Sequence, residues 1–142
     1  MLKLDCNQLI GIPGIIGRMT SLTSLSAHSN QIASLPKEIG LLQNLTEMQL
    51  WGNRIMHLPI EIGDMGSLKT LVLSDNKIKE FSLGLMRLTS LTTLQLATNN
   101  IEDLPSWAWK LTKLSALNLD GNPLSSPPDK VLERGKPCTL KP

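Results

Sequence analysis

Six asparagines, Asn7, Asn30, Asn53, Asn76, Asn99 and Asn122, stand 23 residues apart without one deviation. A fixed period of that length across 142 residues means that one short supersecondary unit is copied along the chain, and this narrows the fold more than any composition can. The apolar residues keep the same interval. Leu45, Met48 and Leu50 precede Asn53, and Ile55, Leu58 and Pro59 follow it; Leu91, Leu94 and Leu96 precede Asn99, and Ile101, Leu104 and Pro105 follow it. Ile39/Leu42, Ile62/Met65 and Leu85/Leu88 add a second apolar pair to their units, and Ala27 is a small residue in a leucine column.

Within each unit the Leu-x-Leu stretch alternates with period two, as a half-buried strand does. Strands of successive units are expected to stack in parallel, with the rest of each unit returning the chain to its next strand. Proline ends the ascending loop because it fixes φ and donates no hydrogen bond. Gly17, Gly40 and Gly63 are expected to permit a tight return through their conformational freedom. An asparagine amide both donates and accepts, so the six can satisfy backbone groups left unpaired at a sharp turn. They read as scaffold, not as a site. No single unit can bury its leucine face alone, so stability comes from neighbours.

The unit L-x-x-L-x-L-x-x-N-x-I-x-x-L-P-x-x-I-G resembles the leucine-rich repeat family over roughly residues 1–132. Leu35-Pro36 with Ile39-Gly40, and Leu58-Pro59 with Ile62-Gly63, are similar to the intracellular subfamilies of Ras-pathway scaffolds, plant intracellular Ras-group proteins and Roco GTPases. The resemblance implies an α/β solenoid: a right-handed horseshoe with a short parallel concave β-sheet and a loop, 3-10 or helical convex side. It also implies a protein–protein interaction module in signalling or scaffolding. The array is expected over 1–132, with a partial first repeat and a last repeat over 114–132. Residues 133–142 are then a cap or tail. Gly121-Asn122-Pro123-Leu124 with Pro127 and Pro128 resembles the closing repeat of intracellular members, and residues 129–134 read as a short helix ended by Gly135. Leu2 and Leu4 occupy strand columns of a unit whose opening leucine is missing. The array is therefore expected to be incomplete, as a fragment, a truncated gene model or one piece of a larger protein, with an uncovered N-terminal end that promotes self-association.

Other function classes find little support. Fourteen Lys and Arg against twelve Asp and Glu leave a net charge of +2, too small a surplus for a nucleic-acid footprint. No stretch is long and apolar enough to span a bilayer, and residues 1–5 do not read as an export signal, so a cytoplasmic location is expected. Cys6 and Cys138 read as free thiols, and the Asn44-Leu45-Thr46 sequon as chance. The glycines over 11–17 do not form a phosphate loop, His28 and His57 fall in different columns, and no metal or cofactor set emerges. No catalytic constellation stands out. The alternative is a recognition arm of a larger enzyme, such as a Roco GTPase or kinase, an adenylate cyclase or a ubiquitin-ligase effector.

The strand positions that are not leucine should face outward, on the concave side. One such column runs Ser24, Glu47, Thr70, Thr93, Ala116; the next runs Ser26, Gln49, Val72, Gln95, Asn118; a third runs Asp5, His28, Trp51, Ser74, Ala97, Asp120. Most of these are small or polar. Trp51 is the exception, and tryptophan and arginine are the types most enriched at binding hot spots. Trp51, with His28, Glu47, Gln49, Val72 and Arg54 around it, is the candidate patch for a protein partner. Alternatively, Trp51 lies flat on its neighbours and binds nothing. Trp107 and Trp109 fall on the return of the fifth unit, where Ala108 replaces the isoleucine of other units; a tryptophan there is expected to fold inward and fill the missing volume.

Overall fold

The computed structural model describes residues 1–125. Within them six strands, β1 (Leu2–Lys3), β2 (Ser24–Ser26), β3 (Glu47–Gln49), β4 (Thr70–Val72), β5 (Thr93–Gln95) and β6 (Ala116–Asn118), pair in parallel in chain order. The register follows the sequence period: Leu25 faces Met48, Met48 faces Leu71, and Leu71 faces Leu94, each 23 residues on. Five 3-10 helices return the chain: η1 (Gly14–Arg18), η2 (Lys37–Leu41), η3 (Ile60–Asp64), η4 (Leu83–Arg87) and η5 (Ala108–Lys110). The architecture is a leucine-rich solenoid. The glycine-spaced stretch over 11–17 runs into η1, with Ile12, Ile16 and Gly17 buried, as a return segment should. The predicted helix over 129–134, Gly135, Pro127, Pro128, the array boundary at 132 and Cys138 lie outside the described residues.

The core is one continuous cluster between the sheet and the 3-10 helices. Leu25, Met48, Leu71, Leu94 and Leu117 are buried on one side, with Leu2 of β1 half-buried, and Ile39, Leu42, Ile62, Met65, Leu85 and Leu88 on the other. Such a core is built coil against coil, so each unit is stable only with its neighbours.

The asparagines stitch the coils together. The Asn76 amide donates to the carbonyls of Leu73 in its own coil and Leu50 in the coil before, both at 3.0 Å, while its Oδ1 accepts the Ile55 N–H at 3.0 Å. Asn53 repeats this with Leu50, Ala27 and Ile32, and Asn99 with Leu96, Leu73 and Ile78. The strand-end carbonyls of Leu50 and Leu73 therefore each accept from two successive asparagines. Asn30, Asn53, Asn76 and Asn99 are buried. Asn7 is exposed and bonds only within its own coil, to Leu4 and Asp5.

The glycines of the return side have a different cause from the one expected. None of Gly17, Gly40 and Gly63 has a left-handed φ. Instead the coils approach too closely for a side chain: a Cβ on Gly40 would lie 2.4 Å from the Glu61 carbonyl oxygen, and one on Gly63 would lie 2.5 Å from that of Gly84. Left-handed backbone occurs in another column, just before the asparagines. Cys6, Ser29, Gly52, Asp75, Thr98 and Gly121, again 23 apart, all have φ between 53° and 70°.

The fourth coil departs from its neighbours. Phe81 stands where Leu35, Leu58 and Leu104 stand elsewhere, and Ser82 replaces Pro36, Pro59 and Pro105. The Ser82 hydroxyl accepts the Gly84 N–H at 3.2 Å and so caps η4. Trp107 of the next coil folds against the core and meets Phe81 edge-on, with ring centroids 6.2 Å apart, while Ala108 is buried in the isoleucine column. The expected filling by a tryptophan is thus made by Trp107.

Candidate functional site

The outward-facing positions of β2, β3 and β4, with the turns that follow, carry the candidate patch. Because parallel strands pair in a 23-residue register, residues of one column lie side by side across the sheet. His28 and Trp51 are such a pair. Their rings stack at a centroid distance of 4.2 Å and an interplanar angle of 11°. Trp51 lies flat on His28, yet 38% of it remains exposed.

Asp5, one coil earlier in the same column, completes the row. Its Oδ1 accepts from the Ser26 hydroxyl at 2.5 Å and from the His28 N–H at 3.2 Å, and its Oδ2 lies 3.5 Å from His28 Nε2. His28 Nδ1 is 3.1 Å from the Ser29 hydroxyl oxygen. The imidazole is thus held at both nitrogens and on one face, and this fixes the plane on which the indole rests. The Ser26 hydroxyl is drawn into this row, which leaves Ser26 buried instead of facing solvent.

The other candidates divide into two groups. Gln49 donates to the Glu47 carboxylate at 2.8 Å along β3, and Val72 is the Cα partner of Gln49 on β4, so these three form a small half-buried surface on adjoining strands. Arg54 does not join them: it is exposed on the loop after β3, and its side chain makes no hydrogen bond or ion pair among the described residues. Asp5 was absent from the candidate patch although its column contained it; the signal was its 23-residue spacing from His28. Among the described residues no three His, Cys, Asp or Glu side chains come together to hold a metal ion, and no helix is long and apolar enough to cross a membrane.

A leucine-rich repeat profile matches residues 67–124. No curated protein sequence matches the chain. Solved structures do. A leucine-rich repeat protein of Leptospira interrogans is 38% identical, with a TM-score of 0.84 over 92% of this chain and 34% of its own. An internalin of Listeria monocytogenes is 25% identical, with a TM-score of 0.76 over 96% of this chain and 39% of its own. The ectodomain of the Arabidopsis thaliana receptor kinase GASSHO1/SCHENGEN3, solved with Casparian strip integrity factor 2, is 31% identical, with a TM-score of 0.79 over 92% of this chain and 17% of its own. The chain thus spans about a third of the Leptospira protein and less than a fifth of the receptor ectodomain. The 23-residue register, the asparagine ladder and these likenesses converge on one assignment: the chain belongs to the leucine-rich repeat family.

Proposed function

We propose that the chain is a non-enzymatic recognition module whose outward sheet face binds a protein partner, with Trp51 as its anchor. The observation that carries this reading is the His28–Trp51 stack, which orients a large apolar side chain and leaves over a third of it in water. Ordering the indole before binding reduces the entropy lost when a partner covers it. Glu47, Gln49 and Val72 supply a mixed polar and apolar surround, and Arg54 an exposed cationic contact at the margin. The receptor ectodomain similar to this chain was solved in complex with Casparian strip integrity factor 2, and another similar structure is a plant peptide hormone receptor in complex with RGF2; both support a polypeptide partner. A cytoplasmic signalling or scaffolding role follows from the likeness of the Leu-Pro and Ile-Gly motifs to intracellular subfamilies.

The test is quantitative affinity capture, with wild type and Trp51→Ala as paired baits in one lysate. Proteins bound through the face should fall about thirtyfold in apparent affinity, the equivalent of about 2 kcal/mol at a hot spot. An identical captured set at identical yield would remove Trp51 from the site.

A further inference from the structure

Two departures from the repeat meet at one place, where the ascending loops of the third and fourth coils enter η3 and η4. The proline column reads Pro36, Pro59, Ser82, Pro105, so the ring is missing at the fourth coil. The next column reads Gly14, Lys37, Ile60, Leu83, Ser106, of which the first four open η1 to η4, so two aliphatic side chains stand together between Lys37 and Ser106. Both are more than half exposed, Ile60 at 51% and Leu83 at 56%. Between them lies an open groove of about 300 Å³, floored by Leu58 and Phe81, walled by Ile60 and Leu83, with His57 and Glu80 at its mouth. That volume sits at the small end of ligand-binding clefts.

The mouth carries one carboxylate, Glu80; Asp103, one period on in the same column, lies outside the lining and accepts from the Ser125 hydroxyl. The one ionic contact of Glu80 among the described residues is His57 at 3.9 Å, with both side chains largely in water. Its carboxylate is therefore available to a cation beside the groove. We propose that this groove is a second binding site, separate from the sheet face, for a linear protein segment that presents a bulky apolar side chain next to a lysine or arginine. The apolar side chain would enter between Ile60 and Leu83, and the cation would meet Glu80.

Panning a phage-displayed library of random dodecamer peptides against the purified chain tests this, with Leu83→Asp, Ile60→Asp, Glu80→Gln and Trp51→Ala chains run in parallel. Circular dichroism should be unchanged in all four, because each altered side chain is exposed. A class of peptides with an apolar residue beside Lys or Arg should be enriched on wild type and on Trp51→Ala. Binding of these peptides should fall about tenfold or more on Leu83→Asp and on Ile60→Asp, as expected for a lost apolar anchor. On Glu80→Gln it should fall about two- to fivefold, as for an exposed ion pair. The proposal is overturned if no such class emerges, if acidic neighbours serve as well as basic ones, or if binding survives Leu83→Asp. Loss of binding on Trp51→Ala would move the site to the sheet face. Wild-type dimers that Leu83→Asp dissociates in sedimentation would assign the groove to a second copy of the chain, and would overturn it equally.

Discussion

Replacing Asn76 by alanine tests the ladder at its centre. Asn76 is buried and makes bonds to both its own coil and the coil before it. The Leu50 carbonyl also accepts from Asn53, and the Leu73 carbonyl from Asn99, so each keeps one partner when Asn76 is shortened. The Ser74 carbonyl likewise keeps the Gly52 N–H. Only the Ile55 N–H loses its sole acceptor. One orphaned buried donor costs about 1–3 kcal/mol, and the lost second bonds to shared carbonyls add about 1 kcal/mol. The variant should therefore lose about 2–4 kcal/mol. Urea unfolding followed by circular dichroism measures this as a shift in midpoint, provided the slope is unchanged. Asn76→Asp should be worse than alanine: it keeps an acceptor for Ile55 but turns a carboxylate toward the Leu50, Leu73 and Ser74 carbonyls. An alanine variant within about 0.5 kcal/mol of wild type, the range of an ordinary surface change, would refute the reasoning.

Three further outcomes are expected. Gly40→Ala should cost about 1–3 kcal/mol in the same assay, because its Cβ would meet the Glu61 carbonyl oxygen, whereas Gly66→Ala, with nothing within 4 Å, should not destabilise. Thr98→Gly should raise stability by about 1 kcal/mol, since a β-branched residue at φ 54° is strained and glycine is not; an unchanged melting temperature would contradict this. Phe81→Ala should cost about 3–5 kcal/mol and alter the near-ultraviolet dichroism through loss of the edge contact with Trp107, and retention of that signal would count against the packing.

Much of this architecture was legible in the residues because every strand contact joins positions one period apart. Once Asn53 and Asn76 are aligned, the pairing of Met48 with Leu71 follows. The same regularity hid other features. Glycine in a column is equally consistent with a free φ and with a close neighbour, and only the 2.4 Å approach to Glu61 separates the two. The left-handed column carries Cys6, Ser29, Gly52, Asp75, Thr98 and Gly121, residues too varied in chemistry to announce a shared conformation. The link from Asp5 to His28 and the groove beside Ser82 depend on side-chain direction and on departures from the repeat, which a period cannot describe.

The claim that the outward sheet face is the recognition surface is tested most directly by nuclear magnetic resonance of the tryptophan indole N–H groups. A partner recovered with the wild-type chain is titrated into it, and the signals are assigned by single substitutions. Trp51, exposed on His28, should shift or broaden as the complex forms, while Trp107, packed on Phe81, should stay in place. A Trp51 signal that remains fixed at saturation would contradict the account.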